Sequence, residues 1–125
     1  MSQTTTAKLQ VKSASQPDET RTFDKGKLDV VKLEGLEAGL FTLQPGWRWS
    51  ESVKPIAKTD SCQKLHVGYI VSGRLHIKLD DGTEAEQGPG DFGVTPPGHD
   101  AWVVGNEPVL MIDFQGVHDY AKPKS

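Results

Sequence analysis

Between residues 28 and 115 the chain repeats one pattern, in which short apolar segments, most alternating apolar with polar side chains, are broken by Gly and Pro. The run Arg74-Leu75-His76-Ile77-Lys78-Leu79 is representative, with its aliphatic residues on one face and Arg74, His76 and Lys78 on the other. A period of two belongs to half-buried strands, and no long stretch holds a helical period. The pattern predicts strands at 28–34, 38–43, 47–50, 65–72, 74–79, 83–87, 91–95, 99–104 and 108–115. Turn chemistry supports the breaks. Asp80-Asp81-Gly82-Thr83 and Gln44-Pro45-Gly46 offer Gly for positive φ and Pro for a fixed φ, and Gly88-Pro89-Gly90-Asp91 is a third turn. Many short strands with short connections predict an all-β sandwich or barrel. The longest break, Glu51 to Lys64, is expected at the rim of a pocket, because a long loop in a compact domain commonly serves there.

The ends read differently. Residues 1–20 are rich in Ser, Thr, Gln and Lys without periodicity and are expected as a flexible tail, with a second short tail at 119–125 and one domain over 21–118. The 125 residues suffice for a single hydrophobic core, and three Trp, four Phe and two Tyr supply its large side chains. A net charge of −3 and the lack of a Lys/Arg stripe exclude a nucleic-acid partner from the expected functions. No apolar run approaches a membrane span or the core of a signal peptide, so the expectation is a cytoplasmic protein without a membrane partner. Cys62 is the only cysteine and has no internal disulfide partner.

One constellation is more specific. Tyr69-Ile70-Val71-Ser72-Gly73-Arg74-Leu75 is followed by Gly88-Pro89-Gly90-Asp91-Phe92 and then by Pro96-Pro97-Gly98-His99, so that Gly90, Pro96 and Gly98 form a Gly, five residues, Pro, any residue, Gly pattern. In these residues the chain resembles the cupin superfamily over roughly 36–115. The resemblance implies a jelly-roll antiparallel β-barrel and a homodimer that engages Arg21 to Glu34. Metal-binding cupins take ligands from a His-x-His-x-x-x-Glu pattern before the Tyr-containing strand and from a His three residues beyond the Pro-x-Gly glycine. Anchored on Tyr69, the first three positions fall on Asp60, Cys62 and His66. The last falls on Ala101, with His99 two residues earlier on the same strand face.

The resemblance therefore implies a metal site of Cys62, His66, His99 and Asp60, with Tyr69, Trp49 and Ala101 lining the pocket. Thiolate plus imidazole suits zinc or ferrous iron better than magnesium or calcium. An extended chain would separate Cys62 from His66 by about 13 Å, so the intervening residues must bend for both to reach one ion. Other roles stay open for each residue. Cys62 also fits a small buried hydrophobe, His66 a hydrogen-bonded interior histidine, and His99 a solvent-facing strand start. Trp47 and Trp49 fit core, pocket wall or interface, and Trp102 is an interface candidate on the opposite face from Ala101. Two functions follow from the resemblance. One is a metal-containing small-molecule enzyme of dioxygenase, isomerase or lyase type, and the other is a non-catalytic or sensory module that binds a small ligand without metal.

Overall fold

The structure, a computed structural model, describes residues 8–122; the outermost residues of both expected tails lie outside this range. In chain order the elements are β1 (Glu19–Phe23), β2 (Gly26–Leu33), β3 (Leu36–Leu43), α1 (Trp49–Ser52), α2 (Lys54–Ala57), β4 (His66–Ser72), β5 (Leu75–Leu79), β6 (Glu84–Gln87), β7 (Phe92–Thr95), β8 (His99–Val103) and β9 (Val109–Asp113). They form two antiparallel sheets. The larger has the order β1-β2-β3-β9-β4-β7 and the smaller β6-β5-β8. The two sheets share one core as a jelly roll, but their hydrogen bonding is not continuous around it, so the barrel is open between them.

The core follows the predicted alternation. Leu28, Val30, Phe41, Ile70 and Val109 come from the larger sheet, and Leu75, Ile77, Ala101 and Val103 from the smaller. Burying these faces is the main drive for folding, since water releases roughly 25 cal/mol for each Å² of apolar surface removed. Gly73 shows how tightly the connections approach. Its φ is +82°, and a Cβ there would collide with the Pro108 carbonyl oxygen.

Two elements differ from the sequence expectation. The strand expected at 47–50 shrinks to one bridge, Arg48 opposite Trp102, after which the chain turns into α1 from Trp49. The amides of Glu51 and Ser52 bond back to the Arg48 carbonyl and close that turn, yet both Trp47 and Trp49 still reach the core. Conversely, β1 carries only Phe23 as a large apolar residue and gives no hydrophobic signal. It exists because it pairs along β2 from Glu19 opposite Val30 to Phe23 opposite Gly26.

Beyond β9 the chain does not leave the domain. Val117 and Tyr120 are buried, and the guanidinium of buried Arg21 donates to the carbonyls of Val117 at 2.6 Å, His118 at 3.0 Å and Tyr120 at 2.8 Å. Thus the one inward polar residue of β1 straps the C-terminal segment across one end of the jelly roll. Tyr120 lies in the segment expected as a tail; its ring packs edge-on to Phe41 at 4.9 Å, and that burial explains its order.

Candidate metal centre

The site is built from inward positions of both sheets. Along β4 the buried residues are His66, Gly68 and Ile70, along β9 Val109, Met111 and Asp113, and along β8 His99, Ala101 and Val103. His66, Asp113 and His99 thus occupy places that the period of two assigns to core side chains. Cys62 arrives by a different route. It forms an isolated antiparallel bridge with His99, closed by Cys62 N–H to His99 O at 2.8 Å and Gly98 N–H to Cys62 O at 2.7 Å. Residues opposite each other across such a pair project to the same face. The chain then bends out of the smaller sheet and enters β4 of the larger one. That bend brings Cys62 Sγ to 3.6 Å from His66 Nε2, in place of the extended-chain separation.

Both imidazoles are oriented from behind. His66 Nδ1 donates to the carboxylate of Asp113 in a very short contact, and Asp113 is fully buried at 0% exposure. Asp113 stands opposite Gly68, one diagonal step from His66, and its other oxygen accepts from Gln115 N–H at 2.9 Å. His99 Nδ1 lies 2.7 Å from the Pro96 carbonyl oxygen, which can only accept. Each ring therefore carries its proton on Nδ1 and keeps Nε2 as the ligand atom. One ligand atom each from Cys62, His66 and His99 fall within 4.8 Å of one another, and all three residues are buried.

Charge sharpens the picture. Burial pushes the Cys62 thiol up, but hydrogen bonds from His66 and His99 outweigh it and hold the thiol down at about 6. Burial pushes His66 down, while its bonds to Asp113 and Cys62 outweigh that and raise it to about 9. Without a metal, the cluster is a thiolate beside an imidazolium. Burial, reinforced by negative charge at Cys62 and Asp113, keeps the Tyr120 hydroxyl protonated well above its ordinary range.

The residues fit a transition-metal ion. Ligand atoms of a tetrahedral zinc site sit roughly 3.5 Å apart, which the Cys62–His66 spacing matches. A carboxylate and a carbonyl behind the two histidines are the outer partners that fix ligating imidazoles. Three protein ligands leave coordination room for a substrate or water.

That room has access. A cleft of about 170 Å³ runs down to Cys62 between the α1–α2 segment and the C-terminal strap, with Trp49, Val53 and Tyr120 as walls and Gln63 and Lys64 at its edge. The expected rim segment, Glu51 to Lys64, supplies much of this wall. A smaller cavity of about 30 Å³ inside the jelly roll touches His66 and His99, and Trp49 and Tyr120 border both spaces.

Of the other residues expected at the site, Trp49 and Ala101 line the inner cavity with His66 and His99. Asp60 does not join the cluster. It is exposed in the bend before the Cys62 bridge and lies outside the three-residue group. Tyr69 does not line either space. It lies an odd number of residues from His66, so strand alternation turns it to the outer face, where its ring meets Phe92 at 4.6 Å. His76 also faces outward, 2.7 Å from Glu84, and stacks on Trp102. Asp113 and Tyr120 were missed. Asp113 had a legible signal, because it continues the inward phase of Val109 and Met111 and is a charge at a core position.

No family model and no curated protein matches the chain. Solved structures do. A protein of unknown function from Rhizobium leguminosarum is similar at 18% identity and a TM-score of 0.63, over 94% of this chain and 99% of that one. An RmlC-like cupin from Shewanella frigidimarina is similar at 18% identity and a TM-score of 0.60, over 92% and 97%. The oxalate decarboxylase of Lactobacillus farciminis, solved as a formate complex, is similar at 18% identity and a TM-score of 0.56 over 78% of this chain, which spans 30% of that protein's length. Among the described residues no helix is long and apolar enough to cross a membrane. With a jelly roll of this topology and structural likeness to a cupin over nearly the whole of both chains, the chain has the cupin fold.

Proposed function

We propose that this chain is a small metal-dependent cupin enzyme acting on a small molecule, with zinc or ferrous iron held by Cys62, His66 and His99. The observation that carries the reading is the convergence of the three ligand atoms, with each imidazole locked by a fixed acceptor on Nδ1. A bound ion would supply a Lewis acid at the meeting point of the cleft and the inner cavity. The chain's own residues do the rest. Asp113 and Pro96 hold the ligating tautomers, Trp49 and Tyr120 exclude bulk water, and the buried thiolate moderates the positive charge of the site. Dioxygenase, isomerase and lyase chemistry all fit an open coordination position beside an apolar wall. The test is metal content of protein purified without chelator. One ion per chain, lost in Cys62→Ala and His66→Ala, supports the reading; no stoichiometric metal together with unchanged stability in both variants overturns it. A homodimer through residues 21–34 belongs to the same reading, supported by the edge position of β1, and light scattering of a monomer at micromolar concentration would contradict it.

One observation favours a second reading. Cys62, His66 and Asp113 are arranged as nucleophile, base and orienting carboxylate, which is how an activated thiol is built without metal. His99→Ala separates the two. A metal enzyme loses its ion and activity together, whereas in a thiol enzyme His66 and Asp113 still activate Cys62, whose reactivity is lowered by the lost His99 hydrogen bond but not abolished.

A further inference from the structure

Tyr120, on the C-terminal strap, is 4% exposed. Its carbonyl accepts from Arg21 Nη1 at 2.8 Å, and its ring packs edge-on to Phe41 at 4.9 Å and to His66 at 5.5 Å between centroids. The hydroxyl at the end of that ring bonds to none of the described residues. It is not sealed in, however. Among the described residues the Trp47 indole nitrogen is the only side-chain nitrogen or oxygen that is both enclosed and without a partner, so the unpartnered Tyr120 Oη keeps an open surface. The spaces that Tyr120 borders are the cleft that touches Cys62 and the inner cavity that touches His66 and His99. Either one sets the hydroxyl beside whatever binds at the metal centre.

Packing alone requires only the ring, which phenylalanine would supply equally well. The other donors around the cleft are engaged within the chain. Thr59 Oγ1 and Gln63 Nε2 donate to Ser61 O at 2.7 Å and 3.3 Å, Lys64 pairs with Asp119, and Lys122 lies 3.9 Å from Glu19. A phenol, with an ordinary pKa of about 10, carries its proton at neutral pH and donates. The cleft volume of about 170 Å³ is below the roughly 300–1,000 Å³ of pockets for drug-sized ligands, so its occupant is compact.

We infer that Tyr120 is a ligand-binding residue, whose hydroxyl donates to an anionic oxygen of a compact molecule, of the carboxylate class, held at the metal centre. This inference rests on the metal reading, because the ion is the ligand's other anchor. An ion and a phenolic donor both favour negative charge on the oxygen between them, while Trp49 and Val53 offer an apolar wall to the rest of the molecule. A site built around such a donor discriminates against a ligand without the oxygen.

The experiment uses zinc-loaded full-length protein with its two tyrosines labelled with carbon-13 at Cζ, and sodium acetate as the probe. Tyr69, on the outer face, is the internal control, and Tyr69→Phe assigns the two signals. Acetate is expected to move the Tyr120 signal downfield in a saturable way and to leave Tyr69 in place. Tyr120→Phe should keep its zinc content and its urea melt, since the hydroxyl has no partner in the chain, and should weaken acetate binding about tenfold, read from carboxyl-labelled acetate. Imidazole, which can take an open metal position but offers no acceptor oxygen, should bind both proteins alike. Zinc bound at full stoichiometry with the Tyr120 signal unmoved by acetate, or with acetate and imidazole weakened equally by Tyr120→Phe, overturns this inference and leaves the metal reading standing. Failure of the wild-type protein to bind zinc overturns the metal reading and this inference with it.

Discussion

Asp113→Asn is the substitution whose effect follows most directly from the geometry. The native carboxylate accepts twice, from His66 Nδ1 and from Gln115 N–H. Asparagine has the same shape but only one acceptor oxygen. If that oxygen stays on Gln115, the amide N–H₂ faces His66 and drives its proton from Nδ1 to Nε2, the atom that must be bare to ligate. If the oxygen turns to His66, a buried backbone N–H is orphaned instead. Both outcomes cost about 1–3 kcal/mol. Loss of an outer partner behind a ligating histidine typically weakens metal binding 10–100-fold, which is about 1.4–2.7 kcal/mol and agrees with that cost. The expected result is therefore a zinc dissociation constant raised about 10–100-fold, measured by competition with a chromogenic chelator, with the fold retained by circular dichroism. Wild-type affinity within twofold in a folded variant would refute the claim that Asp113 acts through His66.

Three further predictions concern separate parts of the account. Asp60→Ala should leave zinc affinity unchanged within experimental error by the same competition assay, because Asp60 is exposed and outside the cluster; a tenfold loss would return it to the ligand set. Arg21→Met should remove three hydrogen bonds to the C-terminal strap, lowering stability by roughly 3 kcal/mol at about 1 kcal/mol each, and should speed labelling of Cys62 by a thiol reagent. Urea melts within 0.5 kcal/mol of wild type, with unchanged labelling, would show that the strap is held by something else. In metal-free protein the thiolate absorbance of Cys62 should persist as pH falls from neutrality and disappear through about 6, since the depressed thiol stays ionised above that value; a midpoint near the ordinary 9.0 would contradict the thiolate–imidazolium pair.

Most of this architecture was legible because alternation is a direct image of a two-faced sheet. Strands β2 to β9 lie within two residues of the predicted bounds, apart from the short segment at 47–50. That segment failed because its alternating tryptophans are buried by a bridge and a helical turn as well as they would be by a strand. β1 failed for the opposite reason. Its buried side chain is Arg21, so burial there is achieved by hydrogen bonding to a distant strap, which periodicity does not encode. The site divides in the same way. His66 and His99 were placed by motif spacing, and Cys62 depends on a non-local bridge to His99 that the spacing only implied. Tyr69 marked the right strand but the wrong face, since the parity of its distance from His66 decides its direction. Asp113 and Tyr120 reach the cluster from 47 and 54 residues beyond His66 by sequence number, and only the fold joins them.

The central claim is that Cys62, His66 and His99 hold one ion. An anomalous scattering experiment on crystals of protein purified without chelator, collected above and below the zinc and iron edges, tests it most directly. A single strong anomalous peak bonded to Cys62 Sγ and to Nε2 of both histidines, with a further position open toward the inner cavity, is the predicted result. A map without metal signal there, with Cys62 Sγ still hydrogen-bonded to His66, would contradict the metal centre and leave the activated thiol.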